Sequence, residues 1–297
     1  DITRLFKLAS GHAMTHFVLG RQAAGVPEQI ERTVAANLPI MNSSRLWPSW
    51  LPSPAMRTHH RESRKLGQLL RSVVQHDRDL PEARAGGFYS ELLQSLPTEQ
   101  AKVATQVSLL ASFGVPGTAA AWSMAMLSLD PNLERLVQNE VDRAESPLDL
   151  LSERTTISTV VNETLRLYPP AWMISRLATV DREYGDILVK RGTTVNFSLY
   201  HIHRDPTTWD RPDDFYPARW SPDVRLSSGT YIPFGSGPRV CVGAHLGIVE
   251  VIAMLWVLLR HHRLHISQLE VSPRIEALLV PQAFIGTITP RTMRKAS

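Results

Sequence analysis

The sequence predicts a mainly α-helical fold with small β-sheets, and three observations carry that prediction. Apolar residues recur at helical spacing through most of the first 168 positions. After Pro169-Pro170 the period changes to short alternating or continuous apolar runs separated by turn residues. A last apolar helix pattern begins just after Cys241 and gives way to a strand-like tail.

The elements follow in order. Positions 1–20 place Ile2, Leu5, Phe6, Leu8 and Ala9 along one stripe, with Asp1 as the N-cap. The first 80 or so residues read as helices, interrupted by a Pro- and Trp-rich connector at 46–54. A long polar helix is expected over 55–77, burying Leu66, Leu69, Leu70, Val73 and Val74. The charged segment 77–87, with Pro81 and Gly86-Gly87, reads as a loop. Pro97 opens a helix expected over 98–127, nearly twice the usual length, with Gly114, Pro116 and Gly117 in its middle. A break at that point in so apolar a helix suggests a functional one. Asp130-Pro131 starts another helix to Ala144, and 148–168 holds one or two more. Strands are expected at 172–180, 187–190 and 193–199, the last two paired about the Arg191-Gly192 turn. Positions 205–237 read as loop, a helix runs from just after Cys241 to about Arg260, and 264–290 returns to strand.

Bulk properties narrow the function. The 297 residues suffice for a large core and read as a single domain, 1–297. No run of eighteen apolar residues exists, so no transmembrane segment is expected. The net charge of +4 is modest and unclustered, which argues against a nucleic-acid partner. A single cysteine excludes an internal disulfide framework and fits a reducing, cytoplasmic location.

Three constellations carry chemistry. Cys241 lies in Phe234-Gly235-Ser236-Gly237-Pro238-Arg239-Val240-Cys241-Val242-Gly243, before a helix start whose unpaired N–H groups favour a thiolate. The glycines admit close approach of a flat ligand, and Arg239 is placed to pair with a carboxylate on it. Glu163 and Arg166, at i and i+3, share one helix face. Phe215, Pro217, Arg219 and Trp220 lie on a rigid loop. Alone, each has an ordinary reading: a buried cysteine, a surface ion pair, an irregular loop.

Together and in this order they closely resemble the cytochrome P450 superfamily. Its F-x-x-G-x-R-x-C-x-G pattern matches Phe234 to Gly243, its E-x-x-R pair matches Glu163 and Arg166, and its F-x-P-x-R-[WF] segment matches Phe215 to Trp220. His203-Arg204-Asp205-Pro206 with Trp209, Leu246 and Glu250, and Trp47-Leu51-Pro52-Pro54 agree. The resemblance implies the cytochrome P450 fold, with haem b as cofactor and Cys241 as the iron ligand. It implies propionate contacts from Arg239 and Arg176, and ring contacts from Phe234, Gly235, Gly243 and Ala111. Glu163, Arg166 and Arg219 would form a buried structural triad. It implies a small hydrophobic substrate met by Phe113, Gly114, Val115, Trp172, Ile174 and Phe284, and a ferredoxin- or flavodoxin-type electron donor, as in soluble bacterial members.

Two departures stand out. Where the family carries A-G-x-[DE]-T, this chain has Ala111-Ser112-Phe113-Gly114-Val115, and no Asp or Glu lies between Glu99 and Asp130. Gly and Val relay no protons, so Thr118 and Ser112 become the tentative distal relay. The family's usual N-terminal portion is not recognisable. The expected activity is oxygen insertion into a hydrophobic organic substrate. The alternatives are a P450 that uses peroxide, isomerises, dehydrates or couples its substrate, and a non-catalytic haem- or ligand-binding protein.

Overall fold

The computed structural model describes residues 1–20, 23–41, 53–78, 87–152, 154–220, 227 and 229–291. The connector expected at 46–54 falls outside them up to position 52, as does most of the loop expected at 77–87. Ten α-helices occur among the described residues: α1 (Ile2–Leu19), α2 (Val26–Met41), α3 (Pro54–Arg78), α4 (Phe88–Ser95), α5 (Thr98–Ser112), α6 (Val115–Leu129), α7 (Pro131–Arg143), α8 (Thr156–Leu167), the single turn α9 (Leu199–Ile202), and α10 (Ala244–His261). Three two-stranded antiparallel sheets accompany them: β1 (Met173–Leu177) with β4 (Thr194–Ser198), β2 (Arg182–Tyr184) with β3 (Ile187–Val189), and β5 (His262–Ile275) with β6 (Leu279–Pro290).

The helix starts follow their caps. Asp1 Oδ1 accepts from Arg4 N at 2.9 Å, and Asp130 Oδ1 accepts from Asn132 N and Leu133 N at 3.0 Å each. Two pairings differ from the sequence expectation. The strand at 187–189 pairs backwards with β2 across Gly185-Asp186, a two-residue turn, rather than forwards with 194–198. Residues 194–198 instead return along β1, with Ile174 opposite Phe197 and Arg176 opposite Val195. Both turns carry glycine, so turn chemistry alone does not choose between them. Helices α2, which contains Pro39, and α4 lacked clear sequence boundaries.

The long helix expected over 98–127 is two helices. Phe113 is extended, Gly114 takes φ 73° and ψ −5°, and α6 restarts with Pro116 in its first turn. Only glycine adopts that left-handed conformation without penalty, so Gly114 makes the break possible. By length and hydropathy alone, the run Thr98–Leu129, which spans the Gly114 break, and the helix Ala244–His261 reach what a membrane span needs, as the core helix of a globular protein also does. The first is 78 % buried within the protein, which is the pattern of a core helix.

The core forms around α6, whose residues 116–127 are all buried. Ala119, Ala120, Ala121 and Ala125 keep this helix thin, and α1, α8 and α10 close around it. At Gly117 the α1 backbone touches α6: an added Cβ would overlap the Phe6 carbonyl and lie 2.7 Å from Lys7 Cα. Helix propensity favours alanine over glycine by about 1 kcal/mol, so the sign of one substitution decides which effect wins. Gly117→Ala is expected to lose about 2–3 kcal/mol in urea unfolding, because α1 must move. Unchanged or increased stability would show that the contact is loose.

Candidate functional site

The cysteine loop is built by turns. Gly235 N donates to Ile232 O at 2.9 Å, Val240 N to Gly237 O at 3.0 Å, and Cys241 N to Phe234 O at 2.9 Å. Gly235 and Gly237 both take positive φ, 76° and 72°, which folds the chain back on itself. Cys241 is exposed and stands three residues before α10.

Behind the loop lies a buried charge network. Glu163 and Arg166 are fully buried on α8, joined by bonds of 2.9 Å from Arg166 Nε to Oε2 and 2.8 Å from Nη2 to Oε1. Arg219 Nε reaches the same carboxylate at 2.9 Å, as do Tyr216 N and Trp220 Nε1. Arg166 spends its remaining N–H groups on the carbonyls of His203, Pro212 and Asp214. No charge in the set is left without partners, the condition for burying it at all.

His203 connects this network to the cysteine loop. Its Nδ1 lies 3.1 Å from Arg166 O, and Ile232 N donates to its Nε2 at 3.0 Å. One nitrogen must therefore donate and the other accept, which defines the neutral ring with Nδ1 protonated. Burial, aided by the nearby Arg166 and Arg204 charges, holds its pKa down to about 4. Sequence reading had placed His203 only within a matching motif, because nothing local reveals that its ring bridges two loops.

A cavity of about 580 Å³ opens in front of Cys241. Ala111, Val115, Pro116 and Ala119 wall it on the α5–α6 side, and Gly247, Ile248 and Val251 of α10 on another. Ile174, Ser175, Arg176 and Leu177 of β1, with Phe234, Gly235 and Arg239 of the loop, complete most of the rim. Arg176 bonds only its neighbour's carbonyl, Ser175 O, at 3.0 Å, and Arg239 has no carboxylate partner among the described residues. The lining is mainly apolar, with a thiol and two guanidinium groups as its reactive features. A thiol facing an apolar cleft with two unpaired guanidiniums at its edge suits a flat apolar metal complex bearing carboxylates. Gly243 does not line the cavity, although a Cβ there would come 3.9 Å from Cys241 Sγ.

Several expected contacts lie elsewhere. Of the substrate-contact candidates, Val115 and Ile174 reach the cavity. Phe113 packs its ring onto Gly11 of α1, where an added Cβ would clash at 2.6 Å, because the break before α6 turns it away. Gly114 faces the Lys7 side chain, Trp172 offers its carbonyl to Tyr200 N, and Phe284 belongs to the main core. Neither Thr118 nor Ser112 lines the cavity. Ser112 Oγ is engaged with Ser108 O at 2.7 Å, whereas Thr118 Oγ1 is buried without a partner among the described residues. Leu165, Pro170, Leu199 and Pro233 also line the cavity and carried no sequence signal beyond being apolar.

The sequence profile described as cytochrome P450 matches residues 11–287. The chain belongs to the cytochrome P450 family. It is 33 % identical over 160 residues to cytochrome P450 3A18 of Rattus norvegicus, covering 51 % of this chain and 32 % of that protein. To cyclooctatin synthase of Streptomyces melanosporofaciens it is 30 % identical over 224 residues, covering 69 % and 48 %. The chain thus spans about a third to a half of the length of these relatives. The crystal structure of the cytochrome P450DA heme domain superposes with a TM-score of 0.85 at 18 % identity, covering 98 % of this chain and 68 % of that one. Members of the cytochrome P450 family carry haem b, and the thiol, cleft and guanidiniums described above fit that group.

Two buried groups of this P450 chain titrate in opposite senses. Burial raises the Glu250 carboxyl from its ordinary 4.5 to about 7, while the Ser10 hydroxyl beside it acts weakly the other way. Between pH 6.5 and 4 the folded state binds fewer protons at His203 than the unfolded chain, so acidification destabilises it. Between pH 7 and 4.5 it binds more at Glu250, so acidification stabilises it. Each effect amounts to roughly 3 kcal/mol, and over pH 4.5–6.5 they offset. Glu250→Gln removes one side of that balance. Its stability is expected to fall by roughly 2–3 kcal/mol from pH 6.5 to 4.5, more steeply than wild type, measured by urea unfolding at both pH values. A variant whose pH dependence matches wild type would contradict the raised Glu250 carboxyl, and one whose stability does not fall would contradict the neutral, buried His203.

Proposed function

We propose that this chain is a haem-thiolate oxidoreductase that inserts oxygen into a small hydrophobic substrate. The observation that carries it is an exposed, lone Cys241 thiol at an apolar cavity with Arg176 and Arg239 at its edge. Cys241 would ligate the iron, the two arginines would take the propionates, and Ala111, Phe234, Gly235 and Gly243 would flank the ring. Thiolate ligation supplies electron density that favours O–O cleavage when the cofactor is bound. The chain's own residues do the rest. The Glu163–Arg166–Arg219 set holds the loop through His203 and Ile232, and the apolar wall from Val115 to Val251 excludes water and selects a hydrophobic substrate.

An electron donor of ferredoxin or flavodoxin type would dock on the outer face of the loop, where Val240, Val242 and His245 are exposed beside Arg239. The reduced single thiol supports a cytoplasmic location.

One observation favours a second reading. The break at Phe113–Gly114 puts glycine and valine where the family's acid and alcohol would stand, so a peroxide-driven, isomerising or coupling reaction follows naturally. Turnover of an apolar test substrate separates the two. Product formed with an electron donor and O₂ supports oxygen insertion, and product formed only when peroxide replaces both supports the second reading.

A further inference from the structure

The cysteine loop has one backbone tie to the body of the fold. Among the described residues, the backbone hydrogen bonds of positions 229–243 stay within the loop and the start of α10, with one exception. Ile232 N donates to His203 Nε2 at 3.0 Å. Positions 236–242 are exposed, so packing does not fix them. Tyr231, one residue before the tie, is anchored through its side chain: its hydroxyl donates to Asn162 O at 3.1 Å, and its ring lies 4.5 Å from that of Trp220. That anchor fixes a side chain, and it leaves the direction of the next peptide open.

His203 is well placed to set that direction. It exchanges two bonds with Arg166: Arg166 Nη1 donates to His203 O at 2.8 Å, and His203 Nδ1 donates to Arg166 O at 3.1 Å. The ring is fully buried against Tyr231, with centroids 5.5 Å apart, so Nε2 can face only one way. The chain after the tie is stiff. Pro233 fixes its own φ and confines Ile232 to extended backbone. A direction given to the Ile232 peptide therefore carries through to Phe234, whose carbonyl accepts from Cys241 N at 2.9 Å. The Ile232 carbonyl closes the same turn by accepting from Gly235 N, also at 2.9 Å.

We propose that His203 is the positioning residue for Cys241, and that its two ring nitrogens have separate tasks. Nδ1 serves the fold, and Nε2 sets where the thiol stands. The buried charges of Glu163, Arg166 and Arg219 hold His203, and through backbone bonds they reach the cysteine by that one acceptor. The further step, that this acceptor governs iron ligation, rests on the haem-thiolate reading; the tie between His203 and the thiol does not.

Two amide variants separate the nitrogens, because an asparagine amide ends where Nδ1 stands and a glutamine amide ends where Nε2 stands. His203→Asn keeps a donor for Arg166 O and loses the acceptor for Ile232 N; His203→Gln does the reverse. Each strands one buried group, so both should lower the urea midpoint by similar amounts. In the full chain, amide hydrogen exchange at Ile232 and Cys241 should quicken roughly tenfold or more in His203→Asn and stay near wild type in His203→Gln. In the haem-loaded chain, the reduced, CO-bound spectrum should keep its thiolate band in His203→Gln and lose most of it in His203→Asn. Equal exchange at Cys241 in the two variants overturns the proposal, since a merely structural histidine predicts that result. If His203→Asn does not fold, His203→Gln decides alone: faster exchange at Cys241 overturns the tie, and wild-type exchange upholds it. Exchange that separates the variants with spectra that do not overturns the ligation step and keeps the tie. A wild type without the thiolate band overturns the haem-thiolate reading together with the ligation step, and exchange then decides the tie.

Discussion

Glu163→Ala is expected to cost about 3–5 kcal/mol of folding stability, enough to leave little folded protein at physiological temperature. The carboxylate is fully buried and accepts from Arg166, Arg219, Tyr216 N and Trp220 Nε1, all near 2.9 Å. Removing it strands the buried Arg166 guanidinium and three further donors at once. Arg4–Glu31 has the same 2.8 Å separation but is largely exposed, so Arg4→Ala should cost far less. Comparison of the two variants in urea separates burial from distance. Similar losses in both would mean that the triad is an ordinary ion pair.

Cys241→Ala is expected to abolish donor- and O₂-dependent turnover while leaving the fold intact. The side chain is exposed and makes no packing contact whose loss would matter, and the loop is held by its backbone bonds and by His203. Far-ultraviolet circular dichroism and urea unfolding should match wild type within about 0.5 kcal/mol. Retained turnover, or an unfolded variant, would show that the thiol's part is structural. This pairing of a large functional loss with a small structural one is the reverse of Glu163→Ala.

The reading of the sequence succeeded where chemistry is local. Asp130-Pro131 announces a helix because a carboxylate and a proline both act within one turn, and Gly114 with Pro116 announces a break. The cysteine loop and its triad were legible only through the family resemblance that their motifs carry together, since each alone has an ordinary reading. What failed was whatever depends on a distant partner. Strand 187–189 chose β2 over β4 because a second glycine turn competed equally. Phe113 faces α1 rather than the cavity, because Gly11 leaves room for its ring.

The central claim is that Cys241 ligates haem iron at the mouth of the cavity. The absorption spectrum of the reduced, CO-bound protein tests it most directly, recorded on the haem-loaded wild type and on Cys241→Ala. The account predicts the red-shifted Soret band of thiolate-ligated haem in wild type and its loss in the variant. A wild-type band at the position of nitrogen-ligated haem, or one that Cys241→Ala leaves unmoved, would contradict it.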